Sequence, residues 1–246
     1  MEVNNFFSTP VFIFGDNKFE ENKDALIEEI YAWRDEASGE VVRSNQGGWH
    51  SETTIFKRKE PGIKRVCHLM VTTFNKCTKH VAPAFEIEKM DMKGEGWVNV
   101  NPQHSFNVPH DHPGYTWSGV YYVKVAESDD YAQLQQERDG CIEFLDPRTS
   151  VSALATDLTK TSDFFAPKKT ITPKPGLMII FPSYLRHWVY PNKRDEDRIT
   201  FAFNFRYALK ANPDQLLAQA QMAAKGKQKT TRGPQQVKGK KRKPRK

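Results

Sequence analysis

Cysteine is scarce in this chain. The three that are present, Cys67, Cys77 and Cys141, lie far apart along its 246 residues. An odd number at such spacing argues against a disulfide framework, and no two of them form the paired motif of a zinc site. The simplest interpretation is a protein of a reducing compartment, and we predict a cytoplasmic location.

Long apolar runs are also missing. No stretch approaches the ~20 apolar residues that cross a bilayer as a helix. The first five residues, MEVNN, lack the basic start and the apolar segment of a secretory signal. The chain has aromatic bulk instead, with 16 Phe, 8 Tyr and 5 Trp. Its length and composition predict one large domain or two small ones with a substantial core, and no contact with a membrane.

Acidic residues are absent from the end of the sequence. Residues 225–246 contain 11 Lys or Arg and no Asp or Glu, which leaves 26 of the 37 basic residues to balance the 30 acidic ones. The net charge of +7 therefore belongs to a tail, and a segment with so few apolar residues is expected to be disordered. Such an arm suits contact with nucleic acid or another polyanion, or it serves as a solubilising or targeting tail.

The hydrophobic pattern changes from helical to strand-like along the chain. Residues 19–37 predict a helix, because Leu26, Ile30 and Trp33 recur at i, i+4 and i+7. From about residue 86 the pattern predicts strands, the first two of which are joined by a turn at residues 93–96. Further strands are predicted at 118–125, 141–145, 169–172, 177–181 and 198–207. This order predicts a mainly β domain, a sandwich or barrel of antiparallel sheets supported by helices.

We accordingly expect three parts in the chain. Residues 1–208 form the folded domain, with helical support over about 1–85 and the β core over about 86–208. Residues 209–224 contain a short helix, and residues 225–246 form the basic tail. No internal repeat, and no linker before about residue 209, divides the domain further.

Two histidines separated by one residue mark a candidate metal site. His110 and His112 flank Asp111 in the sequence PHDHP. In an extended chain, residues i and i+2 point the same way, so both imidazoles can reach one ion while Asp111 points elsewhere. His187, at the end of FPSYLRH, supplies a third candidate ligand. Three protein ligands with open positions suit an oxygen-activating iron, although a His-x-His pair alone is often a surface turn.

A strand with one polar face follows the third histidine. In the sequence RITFAFNF, which begins at Arg198, the alternation puts Arg198, Thr200 and Asn204 on one face and Ile and Phe on the other. Such a polar face lines a cavity rather than a core. Arg198 is suited to a bidentate grip on a carboxylate, with Thr200 adding a hydroxyl donor. The alternative is an arginine on an edge strand paired with Asp195 or Glu196.

Together these segments resemble the iron(II)- and 2-oxoglutarate-dependent oxygenases, and more narrowly a family of such oxygenases known from bacteria and their phages. An ordered set of motifs is much more specific than any one of them, and the set covers roughly residues 9–207. The basic tail lies outside the resemblance. The matching stretches are SNQGGWHS at 44–51, WVNVN at 97–101, HDHP at 110–113, SGVYYV at 118–123, FLDPR at 144–148, FPSYLRH at 181–187 and RITFAFN at 198–204.

The resemblance implies a double-stranded β-helix, or jelly roll, that uses Fe(II), 2-oxoglutarate and O2. It gives His110 and His187 the two histidine ligand positions and Arg198 the 2-oxoglutarate position. The wider superfamily has a carboxylate where this chain has His112, so either His112 or Asp111 is the third ligand. The pointing argument favours His112.

Further side chains are candidates for the cavity wall. Tyr121 and Tyr122 follow the histidine loop on one strand. One of them is expected to hydrogen-bond 2-oxoglutarate, with Tyr122 as the candidate beside Thr200, and the other to be core. Asn99, Asn101 and Asn204 are weaker candidates of the same kind.

The implied activity is hydroxylation of a substrate, coupled to decarboxylation of 2-oxoglutarate to succinate. Protein side chains are the first substrate class, because prolyl hydroxylation is the commonest activity among neighbouring jelly rolls. An oxygenase of nucleic acid or its bases, assisted by the basic tail, is the second hypothesis. A non-catalytic metal-binding jelly roll is the third, and Arg198 argues against it, because a simple metal module needs no carboxylate grip.

Overall fold

Helices precede and support the strands of this domain. The computed structural model describes residues 2, 6–37, 43–125, 131–148, 162 and 164–210. Its secondary structure, two antiparallel sheets and three helices in the described residues, confirms the prediction of a mainly β domain with supporting helices. In chain order the elements are β1 Phe12–Gly15, α1 Phe19–Glu36, β2 Asn45–Gln46, β3 Trp49–His50, α2 Pro61–Val81, β4 Met90–Asn101, β5 Phe106–His110, β6 Trp117–Lys124, α3 Tyr131–Glu137, β7 Ile142–Leu145, β8 Lys168–Ile171, β9 Leu177–Pro182, β10 His187–Val189 and β11 Arg198–Leu209.

Two sheets form the body of the domain. The larger has six strands in the order β1-β9-β6-β11-β4-β3, and the smaller has five in the order β2-β5-β10-β7-β8. The strands β9, β10 and β11 follow one another in sequence yet alternate between the sheets, so the chain passes repeatedly from one sheet to the other. The pairs β6–β9, β6–β11 and β5–β10 are antiparallel, as predicted.

The central strands of the larger sheet are buried on both faces. On β6, Tyr121 and Val123 pack with the helices in one cluster of buried side chains. Val120 and Tyr122 pack with Ile142 of the smaller sheet in a second cluster. Because both faces are covered, every residue of the strand except Lys124 is buried, rather than every second one.

The amphipathic helices cover the outer face of the larger sheet. Helix α1 buries Leu26, Ile30 and Trp33, the residues whose spacing predicted it. Helix α2 begins at Pro61, which lacks the backbone N–H that a first turn leaves unpaired anyway. Buried side chains of both helices belong to one core cluster with Phe201 and other residues of the sheet.

The alternation predicted for the strand at Arg198 is confirmed. Phe203 and Phe205 of β11 belong to the core cluster shared with the helices. Arg198, Thr200 and Asn204 line a cavity whose wall includes residues of both sheets. One strand thus supplies a core face and a polar cavity face.

The turn predicted at residues 93–96 is wrong. Strand β4 continues through these residues without a break. A Cβ on Gly94 would lie 2.2 Å from Cδ1 of Phe205, and one on Gly96 would lie 2.4 Å from Cδ1 of Ile55. The glycines therefore leave room for side chains that pack closely over the strand. In the sequence, glycines with this role cannot be distinguished from glycines of a turn.

The first 85 residues contribute strands as well as helices. Strand β1 forms an edge of the larger sheet, β3 pairs with β4, and β2 pairs with β5 of the smaller sheet. These strands have two to four residues each. A strand of that length does not establish a period, which is why the sequence pattern did not predict them.

The predictions for the end of the chain lie outside the described residues. The chain divides into two units, Met1–Ala208 and Leu209–Lys246, and only Leu209 and Lys210 of the second are described. The short helix expected within 209–224 and the basic tail at 225–246 fall on the remainder. Within the described parts of the chain, no helix has both the length and the apolar composition needed to cross a membrane.

Candidate active site

Two of the predicted histidines meet at the ends of paired strands. His110 ends β5, His187 begins β10, and the two residues are partners in the antiparallel pair. The register then shifts, because Val189 pairs with Asn107, so that β5 has one residue more than β10 between the two pairs. A bulge of this kind redirects side chains. As a result, both His110 and Asn107 line the same cavity.

His112 completes the group from the loop after β5. One ring nitrogen of each histidine lies within 4.8 Å of those of the other two. His187 is buried and the other two are half-buried. Asp111 is exposed and does not belong to the group. The structure therefore brings His112, rather than Asp111, beside His110 and His187.

Backbone carbonyls fix two of the three imidazole rings. Nδ1 of His110 lies 2.7 Å from the carbonyl oxygen of Val108, and Nδ1 of His187 lies 2.9 Å from that of Leu185. A carbonyl oxygen only accepts, so each Nδ1 carries the hydrogen and each Nε2 keeps a free lone pair. This arrangement is the one that metal-binding histidines generally have.

Burial keeps the three rings neutral near pH 7. Desolvation lowers the pKa of His110 from its ordinary value and holds the pKa of His187 well below it. The pKa of His112 falls to about 4, because burial and then the neighbouring His110 disfavour its charged form. Neutral imidazole is the form in which histidine binds a metal ion.

Arg198 is a buried cation in the same cavity. The residue is 4% exposed, and its Nε has no hydrogen-bond partner among the described residues. Its guanidinium carbon lies 5.3 Å from the ring centre of Tyr122, whose buried hydroxyl donates to no acceptor in the described residues. A buried charge without a partner costs several kcal/mol. The two groups therefore suit an anionic ligand.

The surface ion pair considered for Arg198 is not formed. The Glu196 carboxylate lies 3.2 Å from Nζ of Lys124 instead. Within the described ranges, Asp195 makes no ion pair with Arg198 either, and burial lowers the pKa of the guanidinium from its ordinary value. The side chain is thus directed into the domain and away from the acidic loop that precedes it.

The other candidate residues lie partly in the cavity and partly in the core. Thr200 and Tyr122 line the cavity, whereas Tyr121 lies in the core and donates a hydrogen bond of 2.7 Å to Asp16. Burial raises the pKa of Tyr122 to about 12, so its phenol remains a neutral donor. Asn99 also lines the cavity, with its Nδ2 3.5 Å from Oγ1 of Thr200 and its Oδ1 without a partner in the described part of the chain.

Some cavity residues were not identified from the sequence. Ser44, Trp97 and Asn107 line the cavity together with the predicted residues. Ser44 and Trp97 stand in the first two motifs of the resemblance, which is the signal that could have found them. Asn107 is three residues before His110, a spacing that puts two residues on one face of a strand only if the strand contains a bulge.

The arrangement fits the ligands that the resemblance implies. Three neutral imidazoles can bind iron(II) and leave open positions on it. The unpartnered Nε of Arg198 and hydroxyl of Tyr122 are hydrogen-bond donors with no acceptor in the described residues, and a carboxylate supplies such acceptors. The cavity is thus equipped for a metal ion and a carboxylate at the same time.

Residues 95–204 match a protein family described as "Putative 2OG-Fe(II) oxygenase". The matched segment includes the three histidines and Arg198. No curated protein matches the sequence.

Solved structures of oxygenases share the fold. A prolyl-4-hydroxylase of Pseudomonas putida is 12% identical, with a TM-score of 0.53 over 81% of this chain and 93% of the other. A prolyl hydroxylase of Trichoplax adhaerens, in complex with a peptide fragment of hypoxia inducible factor, is 11% identical, with a TM-score of 0.53 over 80% and 83%. The epimerase SnoN, in complex with Fe3+ and alpha ketoglutarate, is 12% identical, with a TM-score of 0.52 over 82% and 81%. At these identities the likeness shows the fold, the double-stranded β-helix of this class of oxygenase.

Proposed function

We propose that this chain, whose residues 95–204 match the 2OG-Fe(II) oxygenase family, is an iron(II)- and 2-oxoglutarate-dependent oxygenase. It hydroxylates a protein side chain, with prolyl as the first candidate. The oxygenase chemistry would take place in the cavity between the sheets. The iron ligands we assign are His110, His112 and His187, and the 2-oxoglutarate site comprises Arg198, Thr200 and Tyr122.

The observation that carries this assignment is the buried Arg198 in the cavity of the three histidines, which forms no ion pair with an acidic side chain of the described residues and whose Nε has no hydrogen-bond partner among them. A histidine cluster by itself also suits zinc or a structural ion. A guanidinium that is buried without an acidic partner is costly, and a bound anion would offset that cost. Nothing in a simple metal module calls for such a group.

The chain's own residues would bind and orient the metal ion and 2-oxoglutarate and shield them from bulk water. Nδ1 hydrogen bonds hold His110 and His187 with their Nε2 lone pairs free. Arg198 and Tyr122 supply donors for a carboxylate, and the Thr200 hydroxyl adds another. When bound, iron(II) and 2-oxoglutarate would let O2, the oxidant, deliver one oxygen atom to a substrate C–H bond and the other to succinate, with release of carbon dioxide.

Aromatic side chains between the two sheets would shield the proposed metal site from bulk water. Phe181 and Phe144 pack on the ring of His187, with centroids 4.7 and 5.9 Å away. Both side chains are buried. This apolar wall keeps bulk water from one side of the proposed metal site, which strengthens electrostatic contacts within it.

Support for a protein substrate comes from the shared fold. Two of the similar structures are prolyl hydroxylases, one of them with a peptide fragment bound. Nothing in the described residues favours nucleic acid, and the basic tail that motivated that alternative lies outside them. We therefore propose protein side chains as the substrate class.

Succinate formation tests the oxygenase assignment. Protein purified without oxygen is loaded with iron(II) and 2-oxoglutarate and exposed to air, with no substrate added. The parent is expected to form succinate slowly. His187→Ala removes a proposed ligand and should reduce the rate to background. Arg198→Met retains volume but not charge, and should weaken 2-oxoglutarate binding by about 100-fold.

Two controls accompany this assay. His68→Ala changes an exposed histidine of α2 and should leave the rate unchanged. Thermal unfolding of ligand-free Arg198→Met should show no loss of stability, because the variant removes an unpaired buried charge. The assignment is wrong if the parent forms no succinate and shows no iron-dependent binding of 2-oxoglutarate.

The substrate class requires a separate experiment. Proline-containing peptides are incubated with the active enzyme and examined by mass spectrometry for the gain of one oxygen atom, with His187→Ala as the blank. Gain on a peptide supports the proposal. Oxidation of single-stranded DNA or RNA instead, lost when residues 225–246 are removed, would contradict it and favour the nucleic-acid alternative.

A further inference from the structure

The three histidines differ in what holds their rings. His110 and His187 each have a backbone carbonyl within 2.9 Å of Nδ1. The contact recorded for Nδ1 of His112 is with a side chain: it lies 3.5 Å from Nδ2 of Asn204. Asn204 therefore occupies, for this ring, the place that main-chain oxygen has for the other two.

Asn204 is itself fixed by its surroundings. The residue is 2% exposed, and Ser118, 1% exposed, donates a hydrogen bond of 2.7 Å from its hydroxyl to Oδ1 of Asn204. On the other side of the amide, Nδ2 lies 3.4 Å from Oε1 of Glu95. Ser118 and Asn204 are also direct partners in the pairing of β6 with β11, so the backbone holds the two side chains together.

A ligand that binds through Nε2 needs a hydrogen on Nδ1, and that hydrogen needs an acceptor. The amide of Asn204 has one acceptor, Oδ1, and one donor group, Nδ2. A half-turn of the amide exchanges these two atoms. Ser118 accommodates either arrangement, because a hydroxyl donates and accepts equally well. The carboxylate of Glu95 has to turn away when Oδ1 replaces Nδ2 beside it, because both are acceptors.

We propose that Asn204, backed by Ser118, is the positioning residue for His112, and that its side-chain oxygen accepts the Nδ1 hydrogen of His112 when the site holds its metal ion. The inference rests on the proposed function, since it concerns the third ligand of that site. It gives a physical reason why a histidine serves where the superfamily has a carboxylate: the chain provides the acceptor that fixes the ring.

Binding of cobalt(II) alone tests the inference without catalysis. Affinity is measured by calorimetry, and the visible absorption of the bound ion reports the number and kind of its ligands. Asn204→Leu retains shape but has no acceptor, and should weaken cobalt(II) binding by about 10–100-fold, the usual effect of losing the partner of a metal-binding histidine. Asn204→Asp offers only acceptors. It is made in the Glu95→Gln background, so that two carboxylates do not face each other, and should stay within about threefold of Glu95→Gln alone.

A double-mutant cycle separates positioning from general damage. In the His112→Ala background, Asn204→Leu should have no further effect on cobalt(II) affinity, because the ring that it positions is gone. Ser118→Ala, which removes only the support of the amide, should show a smaller loss that also vanishes in that background. This milder variant keeps the test available if Asn204→Leu does not fold.

Several outcomes would overturn the inference. Equal affinity of Asn204→Leu and the parent would mean that His112 needs no partner. A loss that persists in the His112→Ala background would make Asn204 a structural residue. An Asn204→Asp variant as weak as Asn204→Leu would exclude the acceptor role. Failure of the parent to bind cobalt(II) would contradict the proposed function itself and this inference with it, whereas the other outcomes leave that function intact.

Discussion

Arg198 keeps its position partly because a neighbouring residue has no side chain. Gly140, in the turn after α3, has φ +58, and a Cβ there would lie 3.0 Å from Cδ and 3.2 Å from Nε of Arg198. Residues with a Cβ rarely adopt this backbone conformation. Two features therefore require glycine at position 140: the positive φ of the turn, and the space that the side chain of Arg198 fills.

Gly140→Ala should weaken 2-oxoglutarate binding while leaving the metal site unchanged. The added methyl group presses on Arg198, and we expect the KM for 2-oxoglutarate to rise about tenfold, or ~1.4 kcal/mol. The measurement is succinate formation against 2-oxoglutarate concentration, with cobalt(II) affinity as the second readout. Gly47→Ala is the control, because Gly47 also has a positive φ, +78, but the atoms near its Cβ belong to Ser105. An equal rise in KM in both variants would contradict the explanation.

Strand β4 shows how an element is shaped by what packs over it. Gly96 is buried in the strand, and Ile55, fully buried in the 3-10 helix Ile55–Lys57, occupies the space where its side chain would be. An alanine at this point has ordinary strand geometry available, so any cost of the substitution comes from crowding rather than from backbone strain.

Gly96→Ala should destabilise the domain by about 1–3 kcal/mol through overpacking. The new methyl group meets Cδ1 of Ile55, which valine lacks. The cost of Gly96→Ala should therefore be smaller by about 1 kcal/mol in the Ile55→Val background, whose own cost is about 0.5–1.5 kcal/mol. Urea unfolding of the four proteins gives these values. Purely additive effects would show that Ile55 is not the obstacle.

At the scale of the whole domain, the side chain of Asp16 links β1 to β6 and α2. Asp16, directly after β1, accepts one hydrogen bond of 2.7 Å from Tyr121 on β6, and its carboxylate lies 2.8 Å from Nη1 of Arg65 on α2. Burial by itself raises the pKa of Asp16, but the hydrogen bonds from Tyr121 and Arg65 outweigh it and leave the pKa below its ordinary value.

A lowered pKa predicts how the stability of the domain depends on pH. The contribution of Asp16 is complete above the unfolded-state pKa of about 3.9 and disappears as the pH falls through the lower folded-state value. Asp16→Asn should therefore cost about 2 kcal/mol at pH 7, and the difference from the parent should shrink below about pH 4. Urea unfolding at a series of pH values measures it. Asp91→Asn, at an exposed aspartate, should show little difference throughout, and a constant deficit for Asp16→Asn down to pH 3 would contradict the argument.

Local patterns in the sequence determined a large part of this architecture. The spacing of Leu26, Ile30 and Trp33 predicted α1, because a helix buries one stripe of residues. The alternation after Arg198 predicted a strand with a core face and a cavity face, because side chains alternate across a sheet. The order of the motifs indicated the oxygenase family, and the site residues assigned from them stay a proposal.

Tertiary structure decided what local patterns cannot encode. The glycines at 94 and 96 have the composition of a turn, yet they lie within an unbroken strand, where Phe205 and Ile55 occupy the space of their missing side chains. Asn107 faces the cavity because β5 has one residue more than β10 between the pairs His110–His187 and Asn107–Val189. The two strands are far apart in the sequence, so no local pattern encodes this bulge. The contact of Asn204 with His112 likewise joins residues that are distant in the chain. The sequence by itself determined periodicity and motif order, whereas registers, close packing and the partners of the buried polar groups exist only once the two sheets are folded together.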